Sequence, residues 1–306
     1  MNKRSVSKAA LLALMLGACV AARAQEEAAS PTSPPTPPAA DERLARILER
    51  AGEAVAKYQA GLFHITFTET LRDEELGKDT TPKKSKEFVF ETVVLREELS
   101  ADEDDFYPKS VRRLKTVDGK PAKGDRRVPW YGYNVQSLGL LLPKHRRLSE
   151  FTLEAEERIG GRAAYRIRAL RPGQPPPQAE WRRRLMGAGM SFRALAPVYL
   201  LLWVDAENFD VLRLEQHLVA PFEFDSPRAF GAFGPSRHIR YTNQDYAVTF
   251  RRQAFKDPEQ TLLVPDTAEW LFVMEGAKHP RLRATISFTN YQRFRSDVKV
   301  LEEEPE

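Results

Sequence analysis

One cysteine in 306 residues leaves the chain without an internal disulfide, a cysteine zinc cluster or a CxxC redox pair. Long hydrophobic runs are missing too. The longest, residues 9–22, spans about 14 residues and falls short of the roughly 20 that a membrane-crossing helix needs, so the mature chain is not read as spanning a bilayer with helices. Nor is there an excess of one charge. The formal net charge of +4 comes from Lys3, Arg4, Lys8 and Arg23 in a stretch that holds no acid, and the rest of the chain sets 43 bases against 43 acids. That balance argues against a nucleic-acid partner, because phosphate neutralisation needs a net or strongly local basic excess. Histidines number five, and His64, His145, His217, His238 and His279 include no HExxH pair or close His/Asp pair, so no metal site and no cofactor is read. What remains is ordinary globular usage, 42% hydrophobic and 29% charged.

Residues 1–24 follow the plan of a secretory signal: a basic start, an apolar stretch, then Ala22, Arg23 and Ala24 with small residues at both recognition positions. Two processing routes stay open. Cleavage before Gln25 releases a soluble periplasmic protein. Leu16, Gly17, Ala18 and Cys19 also resemble a lipobox, in which Cys19 becomes lipidated and anchors the chain in the envelope. Residues 25–40, with Pro31, Pro34, Pro35, Pro37 and Pro38, have little to bury and read as an extended linker.

From residue 41 the pattern is that of one domain, residues 41–300, followed by an acidic tail at 301–306. Leu44, Ile47, Leu48, Ala51, Val55 and Tyr58 recur at helical spacing over 41–58, with Asp41 as N-cap and Gly61 as stop. Alternation then predicts strands at 63–71, 88–95, 110–117, 151–158, 163–170, 198–204, 211–219, 237–255, 262–264, 269–275 and 282–294. Asp118-Gly119 and Gly160-Gly161 supply the two-residue turns of hairpins, which makes neighbouring strands antiparallel. Residues 198–204 are apolar on both faces and belong in the middle of a sheet. Residues 134–142 read as a short apolar helix ended by Pro143. The fold class is therefore α+β, mostly β: a large curled antiparallel sheet, an incomplete barrel, packed on an N-terminal helix and one or two short helices.

These features together resemble the LolA/LolB/LppX-type superfamily of bacterial envelope proteins, which also includes the RseB sensor domain. The residues that carry the resemblance are the export signal, the helix at 41–58, the hairpin at 157–167, the hairpin formed by 202–205 with 211–215, and the late strand at 284–291. More closely, the chain resembles secreted proteins of unknown function common in acidobacteria. The resemblance implies an incomplete barrel capped by helices that holds acyl chains or lipoproteins. None of the superfamily's gating residues is placed here, so it assigns no site residue.

The residues themselves give no catalytic constellation. Gly187 to Ser191 lacks the Lys-Ser of a P-loop, and Gly189 to Arg193 lacks the second glycine of a nucleophile elbow. The acidic run 102–105 lacks the alternation of a calcium loop and reads as a solvated turn. Two stretches bear on a ligand or a membrane. The loop at 221–235 carries Phe222, Phe224, Phe230 and Phe233, which fold over a core or line a mouth. Residues 181–190 set Arg182, Arg183 and Arg184 beside Leu185, Met186 and Met190, as an exposed loop or a contact with an anionic membrane. Trp203 joins the four phenylalanines as a ligand-binding candidate. The expectation is a non-enzymatic envelope protein that binds a lipid or lipidated segment on a concave apolar sheet face. The alternative is an interaction or sensor module whose core is filled by its own side chains.

Overall fold

A computed structural model describes residues 39–63, 65–98, 106–122, 135–183, 190–225, 238–256, 259–277 and 279–293. Helix α1 (Ala39–Leu62) opens this part. Asp41 and Glu42 lie in its first turn, where carboxylates complement the helix dipole. The helix begins ahead of the expected N-cap, Asp41, and runs through Gly61 instead of stopping there. Gly61 lies close against Leu262: a Cβ there would be 2.8 Å from the end of the Leu262 side chain.

Among the described residues, fourteen strands follow: β1 (Ile65–Leu76), β2 (Pro82–Glu98), β3 (Phe106–Val117), β4 (Lys120–Pro121), β5 (Glu150–Ile159), β6 (Arg162–Leu170), β7 (Gln178–Arg183), β8 (Met190–Leu195), β9 (Val198–Asp205), β10 (Val211–Leu218), β11 (Phe222–Asp225), β12 (His238–Lys256), β13 (Glu259–Glu275) and β14 (Arg281–Arg293). Twelve make one antiparallel sheet in the order β4-β3-β2-β1-β14-β13-β12-β10-β9-β6-β5, with β11 added on β12. Strands β7 and β8 form a separate ribbon. The large sheet is open, with β4 and β5 at its edges, and it curls over α1. Its first and last strands, β1 and β14, are hydrogen-bonded neighbours in the interior.

The turns follow the expected chemistry. Asp118 and Gly119 at φ 49° and 72°, and Gly160 and Gly161 at 55° and 81°, take the left-handed conformations of tight hairpins. Two expectations change. The segments at 262–264 and 269–275 are one strand, β13, because Pro265 sits where the register with β12 slips between Thr249 and Phe250. A bulge tolerates the missing N–H that would break a regular ladder. The segment at 134–142 is a 3₁₀ helix (Val135–Leu141) that ends ahead of Pro143, with Leu142 extended as a residue before proline tends to be, and Pro143 then opens the one-turn helix α2 (Pro143–Arg146). Proline fits a first helical position, where its absent N–H costs nothing. Leu138 and Leu141 are fully buried against the end of the sheet near β3 and α1.

Candidate ligand-binding face

Period-two alternation sorts the side chains of the large sheet into two faces. On the inner face, Phe67, Phe90, Phe288, Phe250 and Trp270 meet Ile47, Leu48, Val55, Tyr58 and Leu62 of α1 in one continuous core. Aromatic geometry runs across it. Tyr58 meets Phe250 edge-on at 5.8 Å, Phe67 meets Phe288 edge-on at 5.8 Å, and Tyr246 lies 4.2 Å from Trp270, its cross-strand partner. Eleven strands at about 4.8 Å spacing make a sheet roughly 50 Å wide. One helix, about 36 Å long and 10 Å across, is its main cover.

Within this apolar face lies an ion pair. Glu69 stands between Phe67 and Leu71 on β1 and is fully buried. Its carboxylate meets Arg112 Nε at 2.8 Å and accepts a hydrogen bond from the Thr92 hydroxyl at 3.0 Å. The guanidinium lies 3.9 Å over the Phe90 ring. Burial pushes the Glu69 carboxyl above its usual range, and Arg112 and Thr92 pull the other way. Burial also holds the phenols of Tyr58, Tyr241 and Tyr291 above the usual tyrosine range.

A cleft of about 210 Å³ opens where α1 meets the turn between β9 and β10 and the β12–β13 hairpin. Arg50, Lys57 and Arg252 stand at it together with Glu53 and Asp210, and Tyr58, Leu262 and Leu263 are its apolar lining. Arg252 holds Asp210 through Nη2 at 2.7 Å and Nε at 2.8 Å. At the other end of the cover, Arg43 pairs with Glu156 on β5 at 2.6 Å and lies over Tyr165. Both partners of that pair are exposed, so it adds little to the docking of α1.

Among the sequence-derived candidates, Phe222 and Phe224 are half-buried against the main core. They occupy β11, where a loop was expected. Phe222 lies 5.7 Å from Phe224 and 5.3 Å from Tyr241. On the outer side of this ribbon His238 bridges Asp225 at 3.1 Å and Glu223 at 3.3 Å, and these carboxylates raise its pKa. Trp203 is not on the inner face. It packs with Ala164 and Leu212 in a small outer cluster, and its indole N–H donates to Glu157. Leu202 and Val204, one residue to either side, point into the main core. Phe230, Phe233, Cys19, the acidic run 102–105 and the side chains of residues 181–190 lie outside the described residues. Among the described residues, no group of three or more His, Cys, Asp or Glu is arranged to hold a metal, and no helix is long and apolar enough to cross a membrane. The sequence reading missed the Glu69–Arg112 pair and the cleft. The first had a signal, a glutamate in phase with Ile65, Phe67 and Leu71; the second joins Arg50 and Lys57 to Arg252 and Leu262, far away along the chain, and had none.

A wide open antiparallel sheet with an aromatic inner face under an N-terminal helix defines the chain as a mostly β member of the α+β class. No protein-family model matches it, and no curated protein does. Among solved structures it is similar to a domain named for outer membrane lipoprotein sorting from Vibrio parahaemolyticus, at 10% identity over 81% of this chain and 92% of that one, with a TM-score of 0.41. It is also similar to a LolA superfamily protein from Nitrosomonas europaea, at 10% identity over 82% and 93% of the two chains and a TM-score of 0.34. A DUF1329 family protein from Desulfovibrio piger shows 11% identity over 84% and 94%, with a TM-score of 0.33. At these identities the likeness is one of fold.

Proposed function

We propose that this is a non-catalytic protein of the bacterial envelope that takes up an acyl lipid, or the lipidated segment of another protein, on the inner sheet face that α1 covers. The observation that carries this reading is the nature of the cover: a single amphipathic helix, joined to β1 at one end, docks by apolar side chains on an aromatic face. Burial of Ile47, Leu48, Val55, Tyr58 and Leu62 contributes on the order of 8–15 kcal/mol as an upper estimate. Sixteen methylenes at about 0.8 kcal/mol each return roughly 13 kcal/mol. An acyl chain and the helix therefore compete for the same face on nearly equal terms, which is what reversible loading and release require. The test is native mass spectrometry of the mature protein from the periplasm, followed by organic extraction and lipid analysis. Bound acyl material supports the reading. Clean protein that also fails to take up a fluorescent fatty acid refutes it.

A second reading has its own observation: with α1 docked, the described inner side chains fill the face, as in an interaction module that needs no ligand. Recovery of one stoichiometric protein partner without lipid favours that module. The envelope location rests on the signal-like segment 1–24, and metabolic labelling with a palmitate analogue separates lipidation of Cys19 from release before Gln25.

A further inference from the structure

The cleft beside α1 is built differently from the face it borders. Arg50, Glu53, Ala54 and Lys57 fall at i, i+3, i+4 and i+7, so they share one flank of the helix, with Arg50 and Lys57 two turns and about 10 Å apart. Arg252 faces them from β12, and Asn208 and Thr261 add polar groups at the same opening. The two acids balance two of the three cations and leave one positive charge over. Asp210 is already neutralised by the two-point contact with Arg252, and Glu53 is exposed and 3.6 Å from Arg50. Lys57 has no ion pair among the described residues. Below this rim, Tyr58 and Leu262 belong to the main core, so the lining runs without a break from charged mouth to apolar interior.

A mouth with spare positive charge and an apolar floor suits an amphiphile with a negative head. We propose that this cleft seats the anionic head of an acyl lipid, a carboxylate or a phosphate, whose chain lies beneath α1. The inference rests on the acyl reading above and narrows it to a ligand class. At about 210 Å³ the cleft takes a head group and the first carbons, while the rest of the chain requires α1 to shift. Arg50 and Lys57 ride on that helix, so the head group engages the part that moves.

The experiment compares cis-parinaric acid with its methyl ester by fluorescence titration of the intact mature protein, with inorganic phosphate as a third arm. The variant is the double substitution Arg50→Gln, Lys57→Gln, checked by circular dichroism and melting temperature. Two partly open ion contacts amount to about a tenfold preference. The expected result is that the acid binds about tenfold more tightly than the ester, and that the double variant lowers acid binding to the level of the ester while leaving the ester unchanged. Equal binding of acid and ester by the unaltered protein, or a preference that survives in the variant, overturns the head-group site while the acyl reading stands. Uptake of neither probe overturns the acyl reading itself. Full displacement of the acid by millimolar phosphate, with phosphate binding alone at the same affinity, overturns the lipid source in favour of a free anion.

Discussion

Substituting Gly52 by alanine tests the helix cover in a way that a generic expectation gets wrong. Gly52 is buried in the interior of α1, where alanine normally stabilises by about 1 kcal/mol. Here an added Cβ would lie 2.7 Å from the carbonyl oxygen of Leu141. A Cβ essentially never comes within 3.0 Å of such an oxygen, and the obstacle is backbone of the 3₁₀ helix, so the two helices must separate by several tenths of an ångström. Overpacking of this kind costs about 1–3 kcal/mol. Set against the propensity gain, the net is a loss of up to about 2 kcal/mol, or up to roughly 4 °C in melting temperature for a domain of this size. Urea denaturation followed by circular dichroism and tryptophan fluorescence reads it. Ala60→Gly, on the exposed side of the same helix, serves as the control and should lose about 1 kcal/mol at most. Because the strain falls on the closed position of α1, Gly52→Ala should also take up an acyl probe more readily. A Gly52→Ala protein about 1 kcal/mol more stable than the parent, the full propensity gain, would refute the close approach and the argument with it.

Three further outcomes are expected. Glu69→Leu or Arg112→Met alone should destabilise by about 3–5 kcal/mol by stranding the other charge, while the double variant should recover most of that loss; denaturation midpoints of the three proteins decide it. Gly276→Ala should lose about 3 kcal/mol or fail to fold, because the residue sits at φ 85° and a Cβ would collide with the His238 carbonyl oxygen; an unchanged urea midpoint would contradict the geometry. His238 has a raised pKa from Asp225 and Glu223, so its contribution to holding β11 on β12 is complete below the unfolded value near 6.5 and is lost as pH rises through the higher folded value. An NMR titration of the His238 ring should show the raised midpoint, and a midpoint at or below that of a free histidine would rule the clasp out.

How much of this was legible in the sequence depended on whether a signal was local. The stripe from Ile47 to Tyr58 and the Gly160-Gly161 turn announced helix and hairpin because spacing and backbone freedom act over a short stretch of chain. Pro265 misled for the same reason: a proline looks like a break until a bulge against β12 accommodates it. Gly61 reads as a stop because glycine commonly follows a helix end, while its neighbour Leu262 stands on β13, close in space and remote in sequence. Strand β11, Phe222–Asp225, is set among Pro, Ser and Gly and is too short for alternation to separate it from loop. Strand β9 is apolar on both sides, so period two says only that Trp203 and Leu202 lie on opposite faces, not which of them faces the core. The cleft needs α1, the β9–β10 turn and the β12–β13 hairpin in one place, and no window of sequence contains them.

The pairing of β1 with β14 has a consequence for how the molecule comes into being. Among the described residues, the two strands that join the halves of the sheet are the first and the last in sequence, so this central hydrogen-bond ladder has no partner until residues 281–293 are available. Until then the β1–β2–β3 hairpins and the β12–β13 hairpin exist as separate pieces with unpaired inner edges, open to solvent and to one another. Ending the chain before Arg281 would therefore do more than shorten a terminus: it would leave two half-sheets with nothing to fasten them. The large sheet is therefore one piece only once its last described strand is in place.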